Sequence, residues 1–142
     1  MFLGLLLDMG EIVCIVDSYM AIWQKENDLK YFIRVMKALS DPNRVKIIKM
    51  LGLRELCVCE ITAILGLAQP TVSKHLKVLE AAGLVDSSKD GAWVNYRLAD
   101  QEDSEYARIM QEHMRTWLDD DPLIQQVCDQ VGQVDRVRIC AV

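Results

Sequence analysis

Cysteine is scarce in this chain: five in 142 residues, an odd number, at positions 14, 57, 59, 128 and 140. Such a set does not resemble the dense, even framework of a small secreted domain. In a chain long enough to bury its own core without staples, it points to reduced thiols and a cytoplasmic protein. There is no phosphate-cradling glycine loop, no HExxH and no acid–base constellation beyond ordinary surface residues, which argues against an enzyme. An uninterrupted apolar run of bilayer length is missing too. The opening MFLGLLLDMGEIVCIVDSYMAIW is broken by Asp8, Glu11 and Asp17 and lacks a basic leader, so a buried or dimer-packing helix is expected there rather than a membrane anchor. No repeat and no low-complexity segment interrupts the reading.

Nor is there an overall excess of positive charge, the formal net charge being -5. Its distribution matters more than its sum. Residues 29 to 98 carry eleven Lys and Arg against six Asp and Glu, whereas residues 1 to 28 carry one against five and residues 99 to 142 carry four against ten. Phosphate attraction depends on the charge that faces the duplex, so a basic centre between acidic ends is compatible with DNA.

That centre reads as short helices joined by tight turns. Leu29, Phe32, Ile33, Met36 and Leu39 recur at helical spacing, and Asp41 with Pro42 forms a cap followed by a first-turn proline. The next helix carries Val45, Ile48 and Leu51 and stops near Gly52. A short helix over roughly 57 to 65, a turn at Gly66-Leu67 and a longer helix over roughly 69 to 81 follow, with Pro70 tolerated in the first turn. After Gly83 the period alternates, and LVDSSKDGAWVNYRL predicts a hairpin turning at Asp90-Gly91. Two helices, a short turn and a hairpin make a winged helix-turn-helix. Beyond it lie an amphipathic helix near 102 to 118, a break at Asp119-Asp120-Asp121-Pro122, a helix near 123 to 131, and VDRVRICAV, whose pattern fits a tail or an added strand.

The stretch LAQPTVSKHLKVLEAAGLV carries the clearest chemistry. A helix entering the major groove needs hydrogen-bonding side chains near its start, basic groups within reach of phosphates and an apolar back. Gln69, Thr71, Ser73, Lys74 and His75 supply the polar side, Lys77 adds charge, and Val72, Leu76 and Leu79 form the stripe; Arg97 on the hairpin is a further candidate contact. Taken together, KALSDPNRVKIIKML, ELCVCEI, LAQPTVSKHLKVLEAAGLV and DGAWVNYRL, in this order over residues 29 to 98, resemble the ArsR/SmtB family of metal-responsive winged-helix repressors. The resemblance implies a homodimer with two recognition helices in successive major grooves of a palindromic operator in double-stranded DNA, released when a metal or metalloid binds. It also implies that the helices near 29 to 39 and 102 to 118 build the dimer interface, with no protein substrate and no membrane partner.

Cys57 and Cys59 in ELCVCEI stand at the head of the short helix. On an ideal helix residues i and i+2 lie about 200 degrees apart, so both sulfurs meet one ion only if this terminus leaves helical geometry. The segment is similar to the thiolate motif of the arsenic- and antimony-responsive branch and of the cadmium- and lead-responsive branch. Where the archetypal arsenic pattern has a third cysteine three residues after the second, this chain has Thr62. As(III) favours three soft ligands, leaving Cys14, Cys140 or Cys128 to supply the third, with Cys128 ranked behind the other two. His113, beside Asp103, Glu105 and Glu112, falls short of the Asp and His pairs that a zinc, nickel or cobalt site on the helix after the wing would use.

The expected architecture is mainly α with a small β-hairpin: a winged helix-turn-helix in the order α-α-α-α-β-β-α, with an extra N-terminal apolar segment and a C-terminal helix. Residues 1-28 form the N-terminal extension, 29-118 the DNA-binding and dimerisation domain, and 119-142 the C-terminal helix and tail. The expected function is repression relieved by As(III) or Sb(III). The alternatives are relief by Cd(II), Pb(II) or Zn(II), or a metal-independent, redox-responsive DNA-binding protein.

Overall fold

In the computed structural model, residues 9–100 and 104–140 are described, apart from the side chains of residues 22–26. Met1 to Asp8 and Asp103 therefore lie outside the described residues. The first helix, α1, runs Met9–Ala38 and contains as its last part the helix expected over 29 to 39. Its corner with α2, Pro42–Leu51, is set by local chemistry. Asp41 accepts the backbone N–H groups of Asn43 and Arg44 at 2.9 and 3.1 Å, and Pro42 takes the first helical position, where no N–H is needed. Arg44 seals the corner from the other side by donating to the carbonyls of Ala38 and Lys37 at 2.6 and 3.0 Å.

Next comes a two-residue strand, β1 (Leu56–Cys57), and then α3, Val58–Leu65. Gly66, at φ 65°, ends α3 in the left-handed region and turns the chain toward α4, Gln69–Ala81. The hairpin consists of β2 (Val85–Asp90) and β3 (Trp93–Leu98). Asp90 pairs with Trp93, so the two turn residues are Gly91 and Ala92, one place beyond the expected Asp90-Gly91 pair, and Gly91 takes the positive φ of 61°. The expected hairpin is also widened to a three-stranded antiparallel sheet of order β1-β3-β2, with Leu56 opposite Tyr96 and Cys57 opposite Asn95. The molecule is thus mainly helical with a small antiparallel sheet.

Three helices close the described chain: α5 (Glu105–Met114), α6 (Pro122–Val131) and α7 (Arg136–Ile139). The tail that allowed a strand forms a short helix instead, because Asp135 caps it by accepting the N–H of Val137 at 2.9 Å. The regular helix expected to 118 ends at Met114, and Leu118 takes a positive φ of 65°.

The core lies between α2, α3, α4 and the sheet, where Ile47, Met50, Leu56, Ile61, Leu76, Leu79, Leu84 and Val85 are fully buried. Each such side chain contributes about 1.5–3 kcal/mol through burial. Val72, Leu76 and Leu79 form the back of α4, as the periodicity requires. On α1 Val35 and Ala38 enter the core and Met36 and Leu39 pack against it, whereas Leu29, Phe32 and Ile33 remain 66%, 40% and 41% exposed. Among the described residues no helix is long and apolar enough to cross a membrane.

Lys49 binds the C-terminal helices to this core. Its ammonium, carried on a buried side chain of α2, donates to the carbonyls of Met114 and Trp117 at 2.8 Å each and pairs with Asp119. It thereby satisfies acceptors that the end of α5 leaves without helical partners. Lys49→Ala is expected to lower the unfolding free energy by about 1–3 kcal/mol by stranding these acceptors. Urea unfolding followed by circular dichroism measures the change.

Candidate functional site

Cys57 and Cys59 are brought together because the helix begins between them. Cys57 is in extended backbone, φ -82° and ψ 161°, as the last residue of β1 and the N-cap of α3, while Cys59 already belongs to the helix. The angular separation of an ideal helix therefore does not apply. Glu60 fixes the junction: one carboxylate oxygen accepts the Cys57 N–H at 2.8 Å and the other accepts from Arg54 at 3.1 Å. Arg54 also donates to the carbonyls of Val131 and Val134, holding the end of α6 and the start of the tail against α3.

The tail then returns Cys140 to the same place. The sulfurs of Cys57, Cys59 and Cys140 all lie within 4.8 Å of one another, and Cys57 and Cys140 are 3.8 Å apart. Two thiolates sharing one tetrahedral ion at zinc-like bonds of about 2.3 Å stand about 3.8 Å apart, so the Cys57–Cys140 pair has a spacing that one soft atom can bridge. Cys14 is exposed on α1, and Cys128 is half-buried on α6; neither belongs to this cluster. Thr62, in the place of the archetypal third cysteine, has a buried hydroxyl with no hydrogen-bond partner among the described residues. His113 is exposed on α5 and stacks on Trp117, with ring centroids 4.8 Å apart.

Burial pushes the Cys57 thiol up, partly offset by a hydrogen bond from the Glu60 backbone. Cys140 is raised to about 12 by desolvation and by its hydrogen bonds to Cys59 and Cys57. Both thiols therefore hold their protons at neutral pH, and a ligand that replaces those protons must also provide for them.

The residues expected to face the groove lie on α4. Gln69, Thr71, Lys74 and Lys77 are exposed, and Ser73 is half-buried. His75 departs from the expected DNA face: its ring is 14% exposed and turned toward α2, 3.4 Å from Arg44 and 3.9 Å from Asp41. It shapes the seat of α4 rather than its outer surface. On the wing, Arg97 is exposed between the carboxylates of Asp86 and Asp100, at 3.9 and 3.6 Å.

Arg54, Glu60 and Arg136 were not singled out by residue pattern, since ordinary surface charges have the same local appearance. For Glu60 a signal existed: an acidic residue three places after an N-cap is the second half of a capping box.

Residues 41–87 match the family described as bacterial regulatory protein, arsR family. The chain is 39% identical over 84 residues to the arsenical resistance operon repressor of Escherichia coli K12, a match covering 58% of this chain and 72% of that protein. It is 49% identical over 61 residues to the cadmium resistance transcriptional regulatory protein CadC of Listeria innocua, covering 42% and 51%. Among solved structures, the homodimeric winged helix-turn-helix DNA-binding domain of Mb0332 from Mycobacterium bovis aligns with a TM-score of 0.56 at 30% identity, covering 63% of this chain and 81% of that one. The fold and these likenesses define a DNA-binding transcriptional regulator. The chain belongs to the ArsR/SmtB family of winged helix-turn-helix repressors.

Replacing Thr71 or Ser73 with Ala is expected to relax operator preference, each good base contact being worth about 1–3 kcal/mol. Lys77→Ala is expected to weaken operator and random duplex alike and to reduce the salt slope. Fluorescence anisotropy on both duplexes over a salt series separates the two effects.

Proposed function

We propose that this protein is a cytoplasmic, homodimeric repressor of a palindromic operator that lets go of its DNA when Cys57, Cys59 and Cys140 bind arsenite or antimonite. The observation that carries the reading is the meeting of three sulfurs from two distant parts of the chain within 4.8 Å. Three thiolates match the coordination preference of As(III), which two leave incomplete. Cys140 is the third ligand in this reading, rather than Cys14 or Cys128.

Proton balance favours the metalloid over a divalent cation. Arsenous acid carries three hydroxyl groups. For each As–S bond formed, one As–O bond breaks, and the thiol proton leaves with the hydroxyl as water. Arsenic stays trivalent and the product is neutral. A divalent cadmium, lead or zinc ion on the same three thiolates must expel the protons of Cys57 and Cys140 to bulk water and leaves a net negative charge beside Glu60, whose side chain is 4% exposed. Likeness to a cadmium-resistance regulator keeps these ions as the competing inducers.

Dimer formation rests on α1. Leu29, Phe32 and Ile33 are an exposed apolar group next to α5, with the Phe32 ring edge-on to Tyr106 at a centroid distance of 5.5 Å. A second copy covering this group gives it the burial that a monomer withholds.

Arsenite is expected to release the operator from the parent protein, with three As–S contacts in X-ray absorption. Cys140→Ser is expected to retain two and to lose most of the response. Full release from the Cys57→Ser, Cys59→Ser double variant would sink the reading. The pH profile gives an independent check. Arsenite affinity is expected to stay nearly level from about pH 6 to about pH 8, whereas cadmium affinity should climb with pH as the protons of Cys57 and Cys140 are displaced. Isothermal titration in buffers of different ionisation enthalpy counts those protons directly.

A further inference from the structure

Besides the pairing of Cys57 with Asn95 in the sheet, a second group of contacts joins the sulfur cluster to the wing. Arg136, the first residue of α7, lies with its guanidinium carbon 4.5 Å from the centroid of the Trp93 ring. It also donates to the side-chain oxygens of Asn95 and Asp90, at 3.4 Å each. These three partners span the end of β2 and the first half of β3. One helical turn later the Cys140 N–H donates to the Arg136 carbonyl at 2.8 Å, so the wing anchor and the sulfur ligand are joined by a single backbone hydrogen bond. Upstream, Arg54 grips the carbonyls of Val131 and Val134. A cavity of about 330 Å³ runs alongside, lined by Arg54, Cys57, Glu60, Asp90, Asn95 and Arg136. Cys57 from the sulfur cluster and Arg136 from α7 thus share its wall.

We propose that residues 132–140 are an inducer-gated strap, in which capture of the metalloid by Cys140 clamps α7 onto the wing through Arg136 and so carries the signal from the thiolates to the DNA-reading surface. The strap rests on the metalloid reading above. A ligand shifts an equilibrium only by its differential affinity for the two states. With the strap down, the site offers three sulfurs; with the strap lifted, it offers two. A three-coordinate metalloid therefore favours the strap-down state, which is the state that holds Trp93, Asn95 and Asp90 to Arg136. Wing and α4 must approach DNA together, so a clamp on one of them alters how the pair fits. Arg136 is a positioning residue here: it touches neither the metalloid nor the operator.

The test compares the full chain with Arg136→Ala and Arg136→Lys in three measurements: arsenite-driven operator release by anisotropy, As–S coordination by X-ray absorption, and tryptic cleavage after Arg138. The parent is expected to release the operator and to become protected at Arg138 when arsenite binds. Both variants are expected to bind the operator without arsenite and to keep three As–S contacts, yet to require at least about tenfold more arsenite for release. Release at the parent's arsenite concentration in both variants overturns the strap while leaving the metalloid reading intact. Loss of one sulfur in the Arg136 variants overturns it as well, since Arg136 would then serve to place the ligand rather than to transmit its binding. A parent that ignores arsenite in all three measurements overturns both readings together.

Discussion

The backbone changes from strand to helix between Cys57 and Val58, and much of the molecule depends on that change. Were Cys57 helical, its sulfur and that of Cys59 would diverge by about 200 degrees. In extended backbone it instead pairs with Asn95 in the sheet and gives its N–H to Glu60. The same residue is thus an edge of the wing sheet, the cap of α3 and one corner of the sulfur cluster. A movement at this point is felt in two directions, through α3 and the Gly66 turn to α4, and through β1 to the wing. Buried capping by Glu60 keeps the junction in one conformation, and Arg54 prevents that carboxylate from standing unpaired inside the protein.

Charge is arranged by region and by task. The basic residues are concentrated in the middle, while the acidic C-terminal part contributes caps and tethers. Asp121 caps α6, Asp135 caps α7, and Asp119 receives Lys49. These carboxylates attach the C-terminal segments to the winged core through specific hydrogen bonds. The attachment matters because a sulfur supplied from the tail can join those on α3 only if α6 and the residues after it are held in place. Within the cluster burial raises the Cys57 and Cys140 thiols above their ordinary range.

α7 gives the C-terminal segment two attachments that differ in chemistry. Arg136 meets the wing through a cation over an aromatic face together with hydrogen bonds to Asn95 and Asp90, while Cys140 meets α3 by sulfur. The first is built from contacts that water can replace, and the second becomes covalent in character once a soft atom is bound. A short helix with one weak and one conditional anchor is suited to a change of state, unlike the Leu76 and Leu79 packing behind α4, which has no polar alternative.

What the sequence determined by itself is local. Asp41-Pro42, Gly66, Pro70 and Gly91 act within a few residues of where they stand, and the stripe of Val72, Leu76 and Leu79 repeats at the helical period. Caps, turns and the helix over 69 to 81 were therefore legible in advance, as was the placing of Cys57 and Cys59 at the head of α3. Tertiary structure decided the rest. A strand of two residues is too short to alternate, so β1 becomes visible only when β3 lies beside it. His75 shares the polar pattern of its helix but meets Asp41 and Arg44 because α2 crosses there. Cys140 sits 83 positions after Cys57, and no local periodicity encodes a separation of that length. Its place beside the other two sulfurs follows from how α6 docks on α2 and α3 and from where Arg54 holds the chain after it, which is a property of packing in three dimensions.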